Sequence, residues 1–409
     1  MTLGNWQERK QGLEKQITSR ERVRTALRHE EPDRVPVDFL ATPEIWHRLV
    51  ERMQPDIAAV GNSEYFDPTW EAILRELQID LRTLSYDQFC NPPQSALHAN
   101  TKVSWWEALS RSLPNRMWRQ STRDGDFYDI WGRHFRVERV PTGAYEALAS
   151  FPLGAMTTLE EVKQFPWPAP DWWDFSRLSD VLQQLDAHEE YHLRFRIGSI
   201  FEVAWQLYGM EKFLVDLAMD PTIPLYIMER LTDVYVEITR RALEAAKGRL
   251  DMVYFYDDVA TQESLLMSRR MWSKVIRPRH EQLIEVAKSR GVGVMYHCDG
   301  AIAPLIPELI DMGIDLLNPV QADAAGMDPA QLKAEFGDRL SFHGGIDIIQ
   351  TLPKGTPEAV RAEVRERIDV LGRDGGYILA SSHHIQSDTP LENVFAMYDL
   401  NLRYRDNSR

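Results

Sequence analysis

Short apolar runs that end in polar or titratable residues recur along this chain at helix-length spacing, and this alternation constrains the fold more than any other feature. Eight runs can be read, at residues 34–40, 79–84, 192–199, 251–256, 291–296, 314–319, 339–343 and 376–380. Strand, helix, strand at this spacing joins parallel strands through right-handed crossovers. Eight repeats predict an α/β fold, a single (β/α)8 TIM barrel, whose chemistry sits at the strand C-termini. The intervening segments have helical periodicity: Trp272, Val275, Ile276, Leu283, Ile284 and Ala287 within 268–290, and Val360, Val364, Ile368 and Leu371 within 357–371. Ahead of the first run, Thr18 and Glu21 have capping-box spacing, with Val23, Ala26 and Leu27 as an apolar stripe.

The alternation fails between about residues 87 and 190, where Trp105, Trp106, Trp118, Trp131, Trp167, Trp172 and Trp173 crowd among prolines. We read this stretch as a tryptophan-rich insertion between strands two and three that covers one mouth of the barrel, with a hairpin over 126–137. A packed subdomain with no ligand role accounts for it equally well. Residues 1–17 are expected to be an extension and 18–409 one barrel domain.

Sixty-two acidic against 47 basic residues give a net charge of −15, which argues against a nonspecific phosphate-binding surface and hence against nucleic acid as partner. Residues 1–15 lack the apolar centre of a signal peptide, and no stretch reaches bilayer-spanning length. With Cys90 and Cys298 the only cysteines, a cytoplasmic protein without disulfides is expected. The arginine-rich stretches 20–28 and 111–123 read as solvated faces.

In a barrel the strand ends bring one set of residues to one face: Asp38, Tyr86, Ser199 with Glu202, Asp257 with Asp258, His297 with Asp299, Asn318 with Gln321, His343 with Asp347, and His383 with His384. No Walker loop, GxGxxG or CxxC competes with them. His297 and Asp299, two apart on a strand, share a face while Cys298 points to the other. With His383 they make a two-histidine, one-carboxylate set able to hold zinc or a similar divalent ion, although three such donors also meet at barrel mouths without a metal. Asp257 and Asp258 read either as a general acid/base pair or as one helix cap and one solvated residue. Glu202 lies one turn into the next helix, within reach of the same mouth. His383 and His384 exchange faces with a one-residue change of register, so either could be the ligand.

Residues 22–27, Pro32-Asp33-Arg34-Val35-Pro36, Gly198-Ser199-Ile200-Phe201-Glu202, Tyr256-Asp257-Asp258, 297–321, Gly326-Met327-Asp328-Pro329, 342–347 and 382–390 together resemble the uroporphyrinogen decarboxylase superfamily. The resemblance implies a single barrel and one of two chemistries: decarboxylation of a tetrapyrrole without cofactor, or metal-dependent methyl transfer to or from corrinoid proteins or thiols. Where the decarboxylases carry an Arg-Gln-Ala-Gly-Arg type stretch, this chain has Val37-Asp38-Phe39-Leu40-Ala41-Thr42-Pro43. Where the methyltransferases carry His-x-Cys and a later cysteine, it has His297, Asp299 and His383. The resemblance therefore implies a methyltransferase or demethylase acting on a small methylated, for example methoxy, compound, with a corrinoid protein as methyl acceptor. His297, Asp299 and His383 would hold the metal, Asp257, Asp258, Glu202 and His343 would act on substrate, and Asp38, Tyr86, Ser199, Asn318 and Gln321 would contact it. Uroporphyrinogen decarboxylation is the alternative, and a non-catalytic binding barrel a third reading. The oligomeric state, homodimer included, stays open.

Overall fold

Apolar runs bounded by glycine, proline or aspartate become strands, and the amphipathic segments between them become helices. The computed structural model describes residues 17–61, 66–107, 116–140, 143–399 and Leu402. Its strands are β1 (Leu81–Ser85), β2 (Lys102–Glu107), β3 (Arg116–Ser121), β4 (Phe127–Tyr128), β5 (His134–Val140), β6 (Gly143–Ser150), β7 (His192–Arg196), β8 (Met252–Tyr256), β9 (Gly293–His297), β10 (Leu316–Val320), β11 (Ser341–Ile346) and β12 (Tyr377–Ser381). Seven of them form a parallel sheet in the order β1-β7-β8-β9-β10-β11-β12, and β2 to β6 form a separate antiparallel sheet.

The first apolar run departs from expectation, because residues 34–40 form no regular strand. Val37 bridges Leu379 and Ala41 bridges Ile385, but Pro36 has no N–H to donate, so a continuous ladder cannot form. The Pro36 carbonyl still accepts from Leu379 N (2.9 Å) and Asp38 N donates to Leu379 O (3.0 Å), while on the other side Val37 O accepts from Asp80 N (3.0 Å). Residues 268–290 also divide, into helices Arg269–Val275 and Arg277–Lys288, with Pro278 in the first turn of the second. The segment 126–137 is the expected hairpin, β4 pairing antiparallel with β5. Among the described residues, no helix is long and apolar enough to cross a membrane.

Two apolar clusters result from the two faces of the parallel sheet. The larger lies between the strands and the surrounding helices. The smaller holds Val23, Leu81, Met252, Met295, Leu316 and Ile378, with Leu27 and Tyr254 packed on it. Leu81 and Ile378 come from opposite edges of the sheet, so the sheet is curled around this interior cluster, and the helix Ser19–Leu27 supplies Val23 and Leu27 to it. Thr18 caps that helix by accepting from Glu21 N, as its sequence spacing predicts.

A single buried carboxylate ties these parts together. Asp80 accepts from Ser19 Oγ (2.9 Å), Arg22 Nη1 (2.7 Å), Arg34 Nη1 and Nη2 (2.7 and 2.8 Å) and Val37 N (2.8 Å). Arg22 also pairs with Asp33 at 2.7 Å, so it is not part of a solvated face. Arg20 and Arg24 likewise reach Asp251, at 2.9 and 2.8 Å. Burial opposes the charge on Asp80, but Arg34 and Arg22 outweigh it and hold its pKa below the ordinary carboxylate value. A depressed native pKa contributes stability that is present above the unfolded-state value and lost as pH falls through the native one. Asp80→Asn, which leaves the buried Arg34 guanidinium without its carboxylate and Arg22 with Asp33 alone, is expected to lower unfolding free energy by about 3–5 kcal/mol at neutral pH. The deficit should shrink in acid, and urea titrations of both proteins from neutral pH to below pH 4 test this; a constant difference would refute it.

Candidate functional site

At the C-terminal ends of β8 and β9, successive residues alternate between buried and partly open. Tyr254, Tyr256 and Asp258 are half-buried between buried Phe255, Asp257 and Val259, and His297 and Asp299 flank buried Cys298. This period of two puts the half-open residues on the interior face of the curled sheet, at the C-terminal ends of the strands. Cys298 faces away, its Sγ accepting from Val259 N at 3.4 Å, and burial pushes its thiol well above the ordinary value. Cys90 is buried as well.

Three groups converge at this mouth. One donor atom each from His297, Asp299 and His383 lies within 4.8 Å of the others. His297 Nε2 is 3.7 Å from Asp299 Oδ1, and His383 Nε2 is 3.5 Å from Asp299 Oδ2, too far for hydrogen bonds. Asp299 Oδ1 is buried with no hydrogen-bond partner among the described residues. Such an orphan costs about 1–3 kcal/mol unless something completes its coordination. His383 is therefore the histidine that faces Asp299, and His384 lies behind it, with Nδ1 to Nδ1 at 3.2 Å. Burial and the nearby His297 hold the pKa of His383 below the ordinary imidazole value despite Asp299, leaving a neutral ring with a lone pair. The turn after Asp299 requires Gly300: its φ is +85°, and a Cβ would stand 2.3 Å from Thr261 O. Gln321 braces the same turn by accepting from Gly300 N at 2.9 Å.

Beneath the cluster runs a buried polar chain. Arg194 Nη2 pairs with Asp38 Oδ2 (2.7 Å), Asp38 Oδ2 meets His343 Nε2 (2.8 Å), His343 Nδ1 meets Asn318 Nδ2 (2.6 Å), and Asn318 Oδ1 meets His297 Nδ1 (2.6 Å). Burial opposes charge on Asp38, yet Arg194 and His343 hold its pKa far below the ordinary range, so it remains a carboxylate acceptor. His343 must then donate through Nε2, and because burial lowers its own pKa its Nδ1 accepts the Asn318 amide proton. The Asn318 oxygen is left facing His297 Nδ1, which donates to it, and His297 Nε2 points toward Asp299. Burial works against charge on His297, but Asp299, Asp258 and Asn318 raise its pKa above the ordinary value.

The other sequence candidates occupy varied places. Asp257 faces the start of the helix Phe201–Tyr208: it accepts from Ile200 N (3.2 Å), Phe201 N (3.1 Å), Glu202 N (2.9 Å) and the Ser199 hydroxyl, and meets His280 Nε2 at 2.7 Å. Asp257 and Ser199 are both fully buried there and act as a helix cap built from two strand ends. Asp258 does face the mouth, accepting from Asp299 N at 2.9 Å with its Oδ1 3.9 Å from His297 Nε2. Burial, with Asp299 and Asp257 close by, raises its pKa against the pull of His297. Glu202 accepts from Gln206 Nε2 at 2.8 Å and contributes to the field at His297. Tyr86 is buried, taking the Trp131 indole proton at 3.1 Å and stacking on Trp173 at 6.1 Å, so this part of 87–190 packs on the sheet. The side chains of Trp105 and Trp106, and Arg111, lie outside the described residues.

Sequence reasoning missed Arg194 and Arg196, which alternate with apolar residues on β7 and so enter the interior at the level of this chain. Two arginines two apart on a buried strand are the signal that could have exposed them.

The fold is a curled parallel α/β sheet with a titratable cluster at its strand C-termini, the end at which α/β enzymes place their chemistry. The chain belongs to the uroporphyrinogen decarboxylase (URO-D) family, whose model matches residues 155–404. It is 31% identical over 269 residues to a uroporphyrinogen decarboxylase of Azoarcus sp., covering 60% of this chain and 72% of that one. It is 28% identical over 199 residues to a methylated-thiol–coenzyme M methyltransferase of Methanosarcina mazei, covering 48% of this chain and 49% of the relative, so this match spans about half of each protein. In fold it is similar to a methyltransferase from Methanosarcina mazei, with a TM-score of 0.59 and 16% identity over 95% of this chain and 98% of that one.

In chelator-treated protein, nitrogen NMR of the histidine rings is expected to show His343 as the neutral Nε2–H tautomer at neutral pH. His297 should titrate above about 6.5, the ordinary value. A His343 ring protonated on Nδ1 would contradict the order of donors in the chain.

Proposed function

We propose that this protein is a metal-dependent methyltransferase or demethylase that removes a methyl group from a small methylated compound and delivers it to a corrinoid protein. The observation that carries this reading is the convergence of His297, Asp299 and His383 around an unpartnered buried oxygen, at a strand-end mouth in a family that includes a methyltransferase relative. Two imidazoles and one carboxylate suit zinc or a similar divalent ion with a coordination position left open. Bound there, the metal would serve as a Lewis acid on the ether or alcohol oxygen of the substrate.

The chain's own residues divide the remaining work. Asn318, fixed from below by His343, Asp38 and Arg194, holds the His297 ring so that Nε2 faces the mouth. When the methyl–oxygen bond breaks, the methyl group leaves for the acceptor and the oxygen keeps the bonding pair and needs a proton. Asp258, half-open and with a raised pKa, is the group placed to supply it. Tyr254 and Tyr256 form the wall beside His297, with ring centroids 6.4 and 6.5 Å away. In this reading residues 34–41 serve as the eighth stave of the barrel and the antiparallel sheet as an insertion at its mouth.

Plasma mass spectrometry of protein purified without chelator, and again after incubation with zinc, is expected to find about one metal per chain, lost in His297→Ala. Asn318→Leu should retain the fold but weaken zinc about 10–100-fold against a competing chromogenic chelator. No metal under either condition would sink the proposal and bring cofactor-free tetrapyrrole decarboxylation forward.

A further inference from the structure

Among the described residues six arginines are buried: Arg22, Arg34, Arg82, Arg133, Arg194 and Arg196. Five have a carboxylate partner, namely Asp80 and Asp33 for Arg22, Asp80 for Arg34, Glu71 for Arg82, Asp129 for Arg133 and Asp38 for Arg194. Arg196 has neither ion pair nor hydrogen-bond partner among the described residues, and its Nε is a buried donor left unsatisfied, although only 5% of the residue is exposed. Its guanidinium instead lies against two tyrosines, with Cζ 5.3 Å from the centre of the Tyr256 ring and its charge acting on the Tyr254 hydroxyl. A buried, unpaired guanidinium is expensive, and the structure around the other five shows how this protein ordinarily neutralises one.

The position of Arg196 says what would complete it. It is the last residue of β7, on the same face as Arg194 and one pair of residues nearer the C-terminal mouth. It shares the Tyr256 ring with His297, so its guanidinium and the candidate metal cluster border one aromatic wall. We propose that Arg196 anchors a carboxylate of the substrate, so that the compound accepted is a methylated organic acid carrying one negative charge. The planar fork of a guanidinium matches a carboxylate through two parallel hydrogen bonds. One cation compensates one charge, and Asp258, Asp299 and Glu202 at the same mouth disfavour a dianion such as a phosphate monoester. The half-buried rings of Tyr254 and Tyr256 favour a flat body between the acid and the methoxy group.

This inference rests on the methyl-transfer reading for the methoxy group alone, and the test keeps the two apart. Calorimetric titration of 4-methoxybenzoate and of the neutral 4-methoxybenzamide is made into wild type, Arg196→Gln and Arg196→Lys, each with zinc and with chelator. The acid is expected to bind wild type at least 10-fold more tightly than the amide, with or without zinc. Arg196→Gln should lose that preference while its zinc content and unfolding midpoint stay at wild-type values, and Arg196→Lys should keep part of it. Equal binding of acid and amide by wild type would overturn the proposal. So would a preference for the acid that survives in Arg196→Gln, or one that disappears on chelation in wild type, since the carboxylate would then be held elsewhere. Binding of the acid through Arg196 in a protein that takes up no metal would uphold the anchor while the methyl-transfer reading fell.

Discussion

The architecture depends on one buried carboxylate. Asp80 begins the approach to β1 and is the point where three separate pieces of chain meet: the helix Ser19–Leu27 through Ser19 and Arg22, the segment 34–41 through Arg34 and Val37, and the sheet itself. Two guanidinium groups on one carboxylate form a cluster in which each ion restricts the others, and every oxygen lone pair finds a donor, which is the condition under which a buried ionic group is tolerated. Because Pro36 prevents a regular ladder over 34–40, these side-chain bonds replace the missing strand hydrogen bonds and keep Asp38, two residues further on, at a fixed height inside the sheet.

Asp38 passes that constraint to the mouth. Its pairing with Arg194 fixes its charge, its charge fixes which nitrogen of His343 carries the proton, and Asn318 transmits the choice to His297. A neutral amide and a neutral imidazole in series set direction without adding charge near the cluster, which leaves the field there to Asp258, Asp299 and Glu202. Arg194 and Arg196 are neighbours on one face of β7, yet among the described residues the first has a carboxylate partner and the second has none. The interior thus runs from an apolar floor, through a satisfied polar layer, to an unsatisfied rim.

Particular residues show how far the sequence could be read. The spacing of His297 and Asp299 placed both on one face, and Cys298 on the other, because a strand has a period of two. The same logic brought Asp257 and Asp258 to one strand end but could not tell which of them faces the mouth. That was decided by the helix Phe201–Tyr208, whose first amide groups, packed against β8, demand an acceptor and take Asp257 together with Ser199. His280, in a helix with ordinary periodicity, gave no hint of its contact with Asp257. The basic stretch at 20–28 looked like a solvated face because its carboxylate partners, Asp80 and Asp251, are distant in sequence.

The sequence by itself determined the alternation of strands and helices, the parallel sheet that follows from it, and the residues at the strand ends, since these depend on local periodicity and on crossovers of sufficient length. It also carried the family, through short motifs in a fixed order. Only the tertiary structure decided that the first run is held by side chains rather than a ladder, that His383 rather than His384 meets Asp299, that Asp257 caps a helix, and that Arg196 has no carboxylate partner among the described residues. Each of those outcomes depends on which distant donor or acceptor reaches a buried polar group, and pairing across many residues leaves no periodic trace in the chain.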